Sequence, residues 1–163
     1  MAGGDRVCVA TGVHVAGRAP RRAEIGAGKI YLRDAGLLHS LLDLPDPHSL
    51  LAHPRVGASW EGFAIEQVLQ AIRPAQVYFW ATHSGAELDL FFVQRGRHFG
   101  VEVKFNEAPS VTPSMRSAVT DLGLDHLWIV HAGPHSYPVS DNISALALRD
   151  MTSLPDQLGK RLV

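Results

Sequence analysis

Cysteine is almost missing from this sequence of 163 residues, in which Cys8 is the single cysteine. One cysteine excludes an internal disulfide and a cluster of thiolate metal ligands. No apolar run approaches the ~20 residues that span a bilayer. The first residues also lack the charged-then-apolar layout of a secretory signal. We therefore expect a soluble cytoplasmic protein that does not use a membrane as a partner.

An excess of one charge is also lacking, because 15 Lys and Arg residues stand against 16 Asp and Glu residues, a net charge of −1. Any binding to nucleic acid must then use a local patch. The nine histidines show no HxH or HExxH grouping. The phosphate-binding pattern GxxxxGK[ST] is absent as well, so we expect no ATP site in this chain.

The clearest pattern present is a hairpin from Glu87 to Phe105, in which apolar and polar residues alternate along two predicted strands. Arg95-Gly96 forms a plausible two-residue turn, since glycine tolerates the positive φ that such turns require. The alternation predicts one apolar face on each strand, formed by Leu88, Leu90 and Phe92 on the first and by Val101, Val103 and Phe105 on the second. The turn sets a register that places Asp89 across from Glu102 and Glu87 across from Lys104.

The register brings two carboxylates together. Carboxylates opposite each other, with Cβ atoms about 5 Å apart, destabilise a sheet. Lys104 can compensate in part, and a divalent cation between Asp89 and Glu102 would supply the rest. The alternative is that both carboxylates are solvated on a wet face of the sheet. Spacing alone does not decide between the two.

A predicted helix from about Gly57 to Ile72 carries a second acidic feature. On a helical wheel, Glu61 falls inside the apolar arc, whereas Glu66 falls outside it. A glutamate that faces a sheet costs free energy unless it is paired or binds a cation. Glu61 is therefore the helix carboxylate of interest, and we expect its helix to pack on the carboxylate side of the hairpin. Alternatively, Glu61 only favours the positive end of the helix dipole.

The remaining chain predicts a small α/β domain over residues 29–163, preceded by an irregular lead-in over residues 1–28. Asp34 is a candidate N-cap for a leucine-rich helix, and Pro45 and Pro47 predict a loop after it. The order of helix, three strands, helix and strand predicts a mixed central sheet flanked by helices. In the lead-in, an arginine arm that contacts phosphate competes with a solvated tail. Its basic cluster consists of Arg18, Arg21 and Arg22.

These residues resemble a known family. Gly57-x-x-x-Glu61, then Asp89, then Glu102-x-Lys104 resembles the PD-(D/E)XK nuclease fold of restriction endonucleases and Holliday-junction resolvases. The ordered segments KIYLRDAGLL, GASWEGFAIE, GAELDLFF and VEVKF resemble more closely a C-terminal domain, of unknown function, of bacterial AAA+ ATP-binding proteins. The match covers about residues 29–151, whereas the ATPase of those proteins has no counterpart here.

The resemblance implies hydrolysis of phosphodiester bonds in DNA. Glu61, Asp89 and Glu102 would hold Mg²⁺ or Mn²⁺, with the Val103 carbonyl and water completing the shell. Lys104 would orient the attacking water or stabilise the developing charge. The alternative is a catalytically silent nuclease fold, a remnant of an AAA+ ATPase, that binds protein or nucleic acid.

The resemblance also implies partners. By analogy with resolvases and restriction enzymes we expect a homodimer. If the domain acts on DNA, its arginines should lie on the rim of the acidic site and contact phosphate. These arginines are Arg18, Arg21, Arg22, Arg95 and Arg97.

Overall fold

The computed structural model describes residues 7–11, 14–15, 30–31 and 34–159. Within these residues the chain forms nine strands, which are β1 (Val7–Thr11), β2 (His14–Val15), β3 (Ile30–Tyr31), β4 (Val77–Thr82), β5 (Glu87–Gln94), β6 (Arg97–Lys104), β7 (His126–His131), β8 (Tyr137–Ser140) and β9 (Ile143–Ala147). Seven strands build one sheet in the order β1-β4-β5-β6-β7-β9-β8, and β2 pairs separately with β3. The β6-β7 and β7-β9 pairs are parallel and the other pairs of the large sheet are antiparallel. The sheet is therefore mixed, as the sequence predicts.

Helices cover both faces of the sheet. They are α1 (Ala35–Leu41), α2 (Pro47–Ala52), α3 (Val56–Ile72), α4 (Pro113–Asp121), the 3₁₀ helix Leu148–Ser153 and α5 (Leu154–Gly159). Helix α3 packs on one face together with the 3₁₀ helix and α5, whereas α4 packs on the other face. Within the described residues, no helix combines the length and the apolar character that crossing a membrane requires.

The β5-β6 hairpin follows the predicted register over most of its length, from Gln94 opposite Arg97 to Leu90 opposite Val101. Its turn has φ of 53° at Arg95 and 73° at Gly96. Two consecutive positive φ values are typical of a type I′ turn, whose twist matches that of the flanking strands. The predicted hairpin is thus confirmed over these residues.

A β-bulge near the start of β5 changes the face of the sheet to which its side chains project. Tyr78 pairs with Phe91 but Trp80 pairs with Leu88, so Asp89 and Leu90 together lie opposite one residue of β4. The extra residue reverses the alternation. Leu90 therefore packs in the core on the α3 side, whereas Leu88 packs on the α4 side. The prediction that Leu88 and Leu90 share a face is wrong.

The helix that carries Glu61 packs on the apolar face of β6. Ala64, Ile65 and Val68 of α3 join Val101 and Val103 in one buried cluster. Because side chains alternate along a strand, Glu102 projects toward the other face. The prediction that this helix covers the carboxylate side is wrong, since burying its apolar arc against Val101 and Val103 is favourable, whereas covering charged groups is not.

Two predicted segments differ from the structure for local reasons. Pro47 does not extend a loop but begins α2, with the Asp46 side chain accepting the backbone N–H of Ser49 at 2.9 Å. Proline is favoured at the first position of a helix, where its missing N–H costs nothing. The sequence pattern also predicts a short terminal helix from Asp150 to Leu162, and over the described residues this segment is a 3₁₀ helix followed by the short α5. Asp34 does cap α1 as predicted, accepting the N–H of Leu37 at 3.0 Å.

Part of the predicted lead-in belongs to the sheet. The strand Val7–Thr11 pairs antiparallel with β4 at the sheet edge. The basic cluster of Arg18, Arg21 and Arg22 lies outside the described residues.

His126 is a buried titratable group at the start of β7. Its side chain is 3% exposed, its Nε2 lies 3.0 Å from Ser144 Oγ, and its ring centre lies 4.6 Å from that of Trp128, with the two rings tilted by 50°. Burial, together with the positive charge of Arg97, lowers the pKa of His126 from 6.5 to about 4. The folded state therefore holds this imidazole neutral where the unfolded state protonates it.

We expect the Gly100→Ala change to lower the free energy of unfolding by about 1–3 kcal/mol, because overpacked cores must shift. A Cβ at Gly100 would lie 2.7 Å from Leu124 Cδ1 and 3.0 Å from Leu88 Cδ2. Gly57→Ala is the matched control, since nothing lies within 4 Å of its Cβ position in α3. It should raise stability by about 0.5–1 kcal/mol. Urea denaturation measures both, and equal effects would contradict the close packing of Gly100 against Leu88 and Leu124.

We expect stability to fall as the pH drops from 6.5 toward 4, because over this range unfolded His126 binds a proton that folded His126 does not. In His126→Gln this loss should be smaller by up to about 3 kcal/mol, the value of the pKa difference. Urea denaturation at about pH 7 and about pH 4 measures the difference. His48→Gln, at an exposed histidine of α2, is the control and should behave like the parent.

Candidate functional site

Lys104 ends β6 and forms an ion pair with Glu102 on the same strand face. Its Nζ lies 2.7 Å from Glu102 Oε1, and the side chains of Lys104 and Glu102 are 37% and 7% exposed. Residues two apart on a strand project to the same side, so the sequence spacing explains the pair. The pair is charge-assisted and partly desolvated, which makes it stronger than an ion pair in open solvent.

The surroundings of Lys104 are strongly acidic. Burial alone would lower the pKa of Lys104, but the hydrogen bond to Glu102 and the negative charges of Glu102, Asp89 and Glu61 outweigh it, so the pKa is raised. Lys104 is therefore a cation at neutral pH and cannot act as a general base there. All three carboxylates predicted for the site act on this one ammonium group. We name Glu61, Asp89, Glu102 and Lys104 the acidic centre.

Asp89 lies where the two strands of the hairpin separate. The backbone pairing of β5 with β6 ends at Leu90 and Val101, one step before the predicted pair of Asp89 with Glu102. The buried Asp89 carboxylate instead accepts the backbone N–H of Val103 at 2.9 Å. A side chain thus replaces the next ladder hydrogen bond, which fixes this carboxylate beside Glu102 and satisfies a buried donor.

Glu61 reaches the centre from α3. Its side chain is half-buried, and its charge is among those that raise the pKa of Lys104. The neighbouring Trp60 holds α3 against the end of β6 by donating its indole N–H to the Lys104 carbonyl at 3.1 Å. Helix and strand are therefore joined at the acidic centre itself.

Glu66 is buried, although the helical wheel places it outside the apolar arc. It is 7% exposed and accepts a hydrogen bond from the Gln70 amide at 3.0 Å. The placement of Glu66 outside the buried arc is wrong, because α3 contacts α1, α2, α5 and the 3₁₀ helix as well as the sheet. A wheel with one buried side does not describe such a helix.

The donor set suits a divalent cation in part. In the part of the chain that the structure describes, no three histidine, cysteine or acidic side chains are arranged to hold a metal ion. Mg²⁺, however, is commonly held by one or two carboxylates together with water and substrate oxygens. Asp89 and Glu102 are two buried carboxylates that both act on Lys104, so these two residues are a donor set of the kind that such a cation uses. The predicted role of Glu61 as a third ligand stays a prediction.

The structure does not bring the hairpin arginines to the rim of the acidic centre. Arg95 and Arg97 lie at the turn, and β6 separates them from Lys104 by about 20 Å at the usual rise per residue. Arg97 instead lies 3.5 Å from Asp125 in an ion pair and 4.9 Å from the centre of the Phe99 ring.

Sequence reasoning missed His131, which lies beside Lys104 in the parallel β6-β7 register. Its side chain is fully buried, and Nδ1 accepts the Gly133 N–H at 3.1 Å. Burial lowers the pKa of His131, although the backbone carbonyls of His135 and Glu107 partly oppose this. A neutral histidine therefore flanks the charged lysine. The available signal was a histidine at the carboxyl end of a buried parallel strand.

We expect Lys104→Met to lower the free energy of unfolding by about 1–3 kcal/mol, because it leaves Glu102 buried without its cation, in a site that solvent screens in part. Adding Glu102→Gln should recover part of this loss, since the buried charge is then gone. A double-mutant cycle from urea denaturation measures the coupling. Additive losses would contradict the pairing.

Comparison with known proteins places the acidic centre within a family. The family described as "Domain of unknown function (DUF4143)" matches residues 56–151, which include all four residues of the centre. "Uncharacterized protein Mb2031c" of Mycobacterium bovis and "Uncharacterized protein Rv2008c" of Mycobacterium tuberculosis are each 48% identical over 118 residues. The aligned part is 72% of this chain and 27% of either relative, so the chain spans about a quarter of their length. Because the family match covers more than half of its residues, the chain belongs to the DUF4143 family.

Proposed function

We propose that this domain is a metal-dependent nuclease-like domain of the PD-(D/E)XK type, which hydrolyses phosphodiester bonds of DNA. The observation that carries the proposal is the convergence of Glu61, Asp89 and Glu102 on Lys104, at the point where β5 and β6 separate. An isolated surface ion pair would need neither the inserted Asp89 carboxylate nor the third acidic group from α3.

The topology supports the proposal. Helix α3 is followed by the antiparallel strands β4, β5 and β6, and α4 then crosses over to the parallel strand β7. This is the order of helix, three strands, helix and strand that the sequence predicts. Glu61 lies on the helix, Asp89 on the second strand, and Glu102 and Lys104 on the third, which is the order of the motif on which the resemblance is based.

The proposed role of each residue follows from its charge. Asp89 and Glu102 would hold a Mg²⁺ or Mn²⁺ ion, which when bound polarises a phosphate oxygen and lowers the pKa of a coordinated water. Lys104 stays protonated and serves as a point cation for the scissile phosphate or for a water beside it. Glu61 adds negative charge at the same place, which favours a cation there. Val103 fixes Asp89 through its N–H.

A second candidate function is a silent nuclease fold that binds protein or nucleic acid without cleavage. The Glu102 ion pair at 2.7 Å favours it, because Lys104 already compensates one of the carboxylates. A cation would have to share Glu102 with Lys104 or displace it. The homodimer, the protein partner and the relation to AAA+ ATPases remain proposals that accompany either function.

The experiment is a thermal melt with and without Mn²⁺. A ligand stabilises the state that binds it, so the parent should melt at a higher temperature in millimolar Mn²⁺. Asp89→Asn should lose this rise. Its melting temperature without metal should stay equal or increase slightly, because one negative charge is removed from a crowded site while Asn can still accept the Val103 N–H.

The matched control is Asp121→Asn, at an exposed aspartate that ends α4. It should keep the full Mn²⁺ response. A parent that ignores Mn²⁺ would contradict the nuclease proposal and favour the silent fold. A purely structural role for Asp89 would instead lower the melting temperature of Asp89→Asn without metal. Cleavage of a labelled DNA strand by the parent, lost in Asp89→Asn, would complete the test.

A further inference from the structure

A recess of about 420 Å³ lies between α3 and the 3₁₀ helix. Its volume falls in the range of small-molecule sites, about 300–1,000 Å³. The wall combines aromatic, amide, backbone and guanidinium groups. Its main lining residues are Trp60, Phe63, Gln67, Gly133, Arg149 and Met151.

The recess lies at the end of the sheet where Lys104 lies. Lys104, His131 and Ala147 are in register as the last residues of the parallel strands β6, β7 and β9. Gly133 follows the second of these strands closely, and Arg149 follows the third. In open α/β sheets, ligands bind in the crevice outside the carboxyl ends of the parallel strands. The recess occupies that position.

Its aromatic wall is exposed to an unusual degree for large apolar side chains. Phe63 is 39% exposed, and the adjacent Phe105 is 44% exposed. Their ring centres lie 6.2 and 5.8 Å from that of Trp60, which joins the two phenylalanines into one cluster. Trp60 precedes Glu61, and Phe105 follows Lys104. The Trp60 indole donates its N–H to the Lys104 carbonyl, so the exposed rings lie at the end of β6 that carries Lys104, on the opposite face of the sheet from the Lys104 side chain.

The polar part of the recess complements a nucleotide. Gln67 is half-buried and Arg149 is exposed at the opposite wall. An amide offers both a donor and an acceptor to the edge of a base, and a guanidinium group binds phosphate in a bidentate manner. Aromatic side chains provide the stacking surface that proteins use for unpaired bases.

We infer that this recess binds one unpaired base of a single-stranded nucleic acid, stacked on Phe63 and Trp60, with Arg149 on the adjoining phosphate. The inference rests on the proposed function and names its substrate class, since the recess and Lys104 lie at the same end of the sheet. A base inside a duplex is stacked on both sides and cannot enter, so paired DNA must be opened first.

The experiment measures binding in EDTA, so that neither metal binding nor cleavage contributes. The probe is a fluorescein-labelled single strand of roughly 12 nucleotides, within the usual site sizes, compared with the same sequence as a duplex and with AMP. The strand should bind at least tenfold more tightly than the duplex or AMP. It should also quench tryptophan fluorescence through Trp60, because Trp80 and Trp128 are 0% and 1% exposed.

Two variants test the recess, each with a matched control. Phe63→Leu keeps an apolar side chain but removes the stacking surface, and it should weaken strand binding about tenfold. Tyr137→Leu, at an exposed aromatic residue of β8, should have less than about a twofold effect. Arg149→Gln should weaken binding and reduce its salt dependence, whereas Arg116→Gln on α4 should not.

Each outcome bears on the inference separately from the metal response. Absence of strand binding, equal binding of duplex, binding of AMP as tight as that of the strand, or equal losses in the controls would overturn it. Self-association that Phe63→Leu abolishes, without any strand binding, would assign the aromatic cluster to a protein interface and overturn it as well. A parent that binds the strand but ignores Mn²⁺ would retain this inference and reject the nuclease.

Discussion

The hydrogen bond from the Val103 N–H to the Asp89 carboxylate is the interaction on which the acidic centre depends. The bulge in β5 and the early end of its pairing with β6 free this N–H from the backbone ladder. A buried donor without an acceptor would cost about 1–3 kcal/mol. The Asp89 side chain meets this need, and in doing so it is held beside Glu102 and Lys104. An irregularity of the sheet is therefore what assembles the charged groups.

The bulge also places Leu88 and Leu90 on opposite faces of the sheet. Leu90 packs against the α3 layer and Leu88 against the α4 layer, so β5 contributes to both cores within three residues. Asp89 lies between these two apolar anchors. Their burial on opposite faces resists rotation of the strand, which would otherwise allow the carboxylate to turn toward water. Packing on both sides thus supplies the rigidity that a preorganised charged site requires.

Features determined by neighbouring residues could be predicted, and features determined by distant ones could not. The Asp34 cap, the Arg95-Gly96 turn and the shared face of Glu102 and Lys104 follow from spacings of a few residues. The bulge depends on how β4 pairs with β5, and the burial of Glu66 depends on helices that surround α3. The recess draws Trp60, Gly133 and Arg149 from three separate segments, so no local pattern indicates it. The loop predicted at Pro47 is wrong for another reason, because proline ends helices but is also favoured at their first position.

The charges of the acidic centre alone do not account for binding of a nucleic-acid strand, and the apolar recess alone does not account for its cleavage. Three carboxylates act on one ammonium group, so the centre by itself repels a phosphate. A strand bound only by its backbone would avoid it. Stacking of a base on Trp60 and Phe63 does not depend on charge and can hold a strand close despite this repulsion. A divalent cation between Asp89 and Glu102 would then convert the repulsive centre into one that attracts the phosphate already positioned there. The Trp60 indole donates its N–H to the Lys104 carbonyl, so under this proposal the aromatic anchor and the charged groups are tied to the same end of β6 and would act on neighbouring parts of one bound strand.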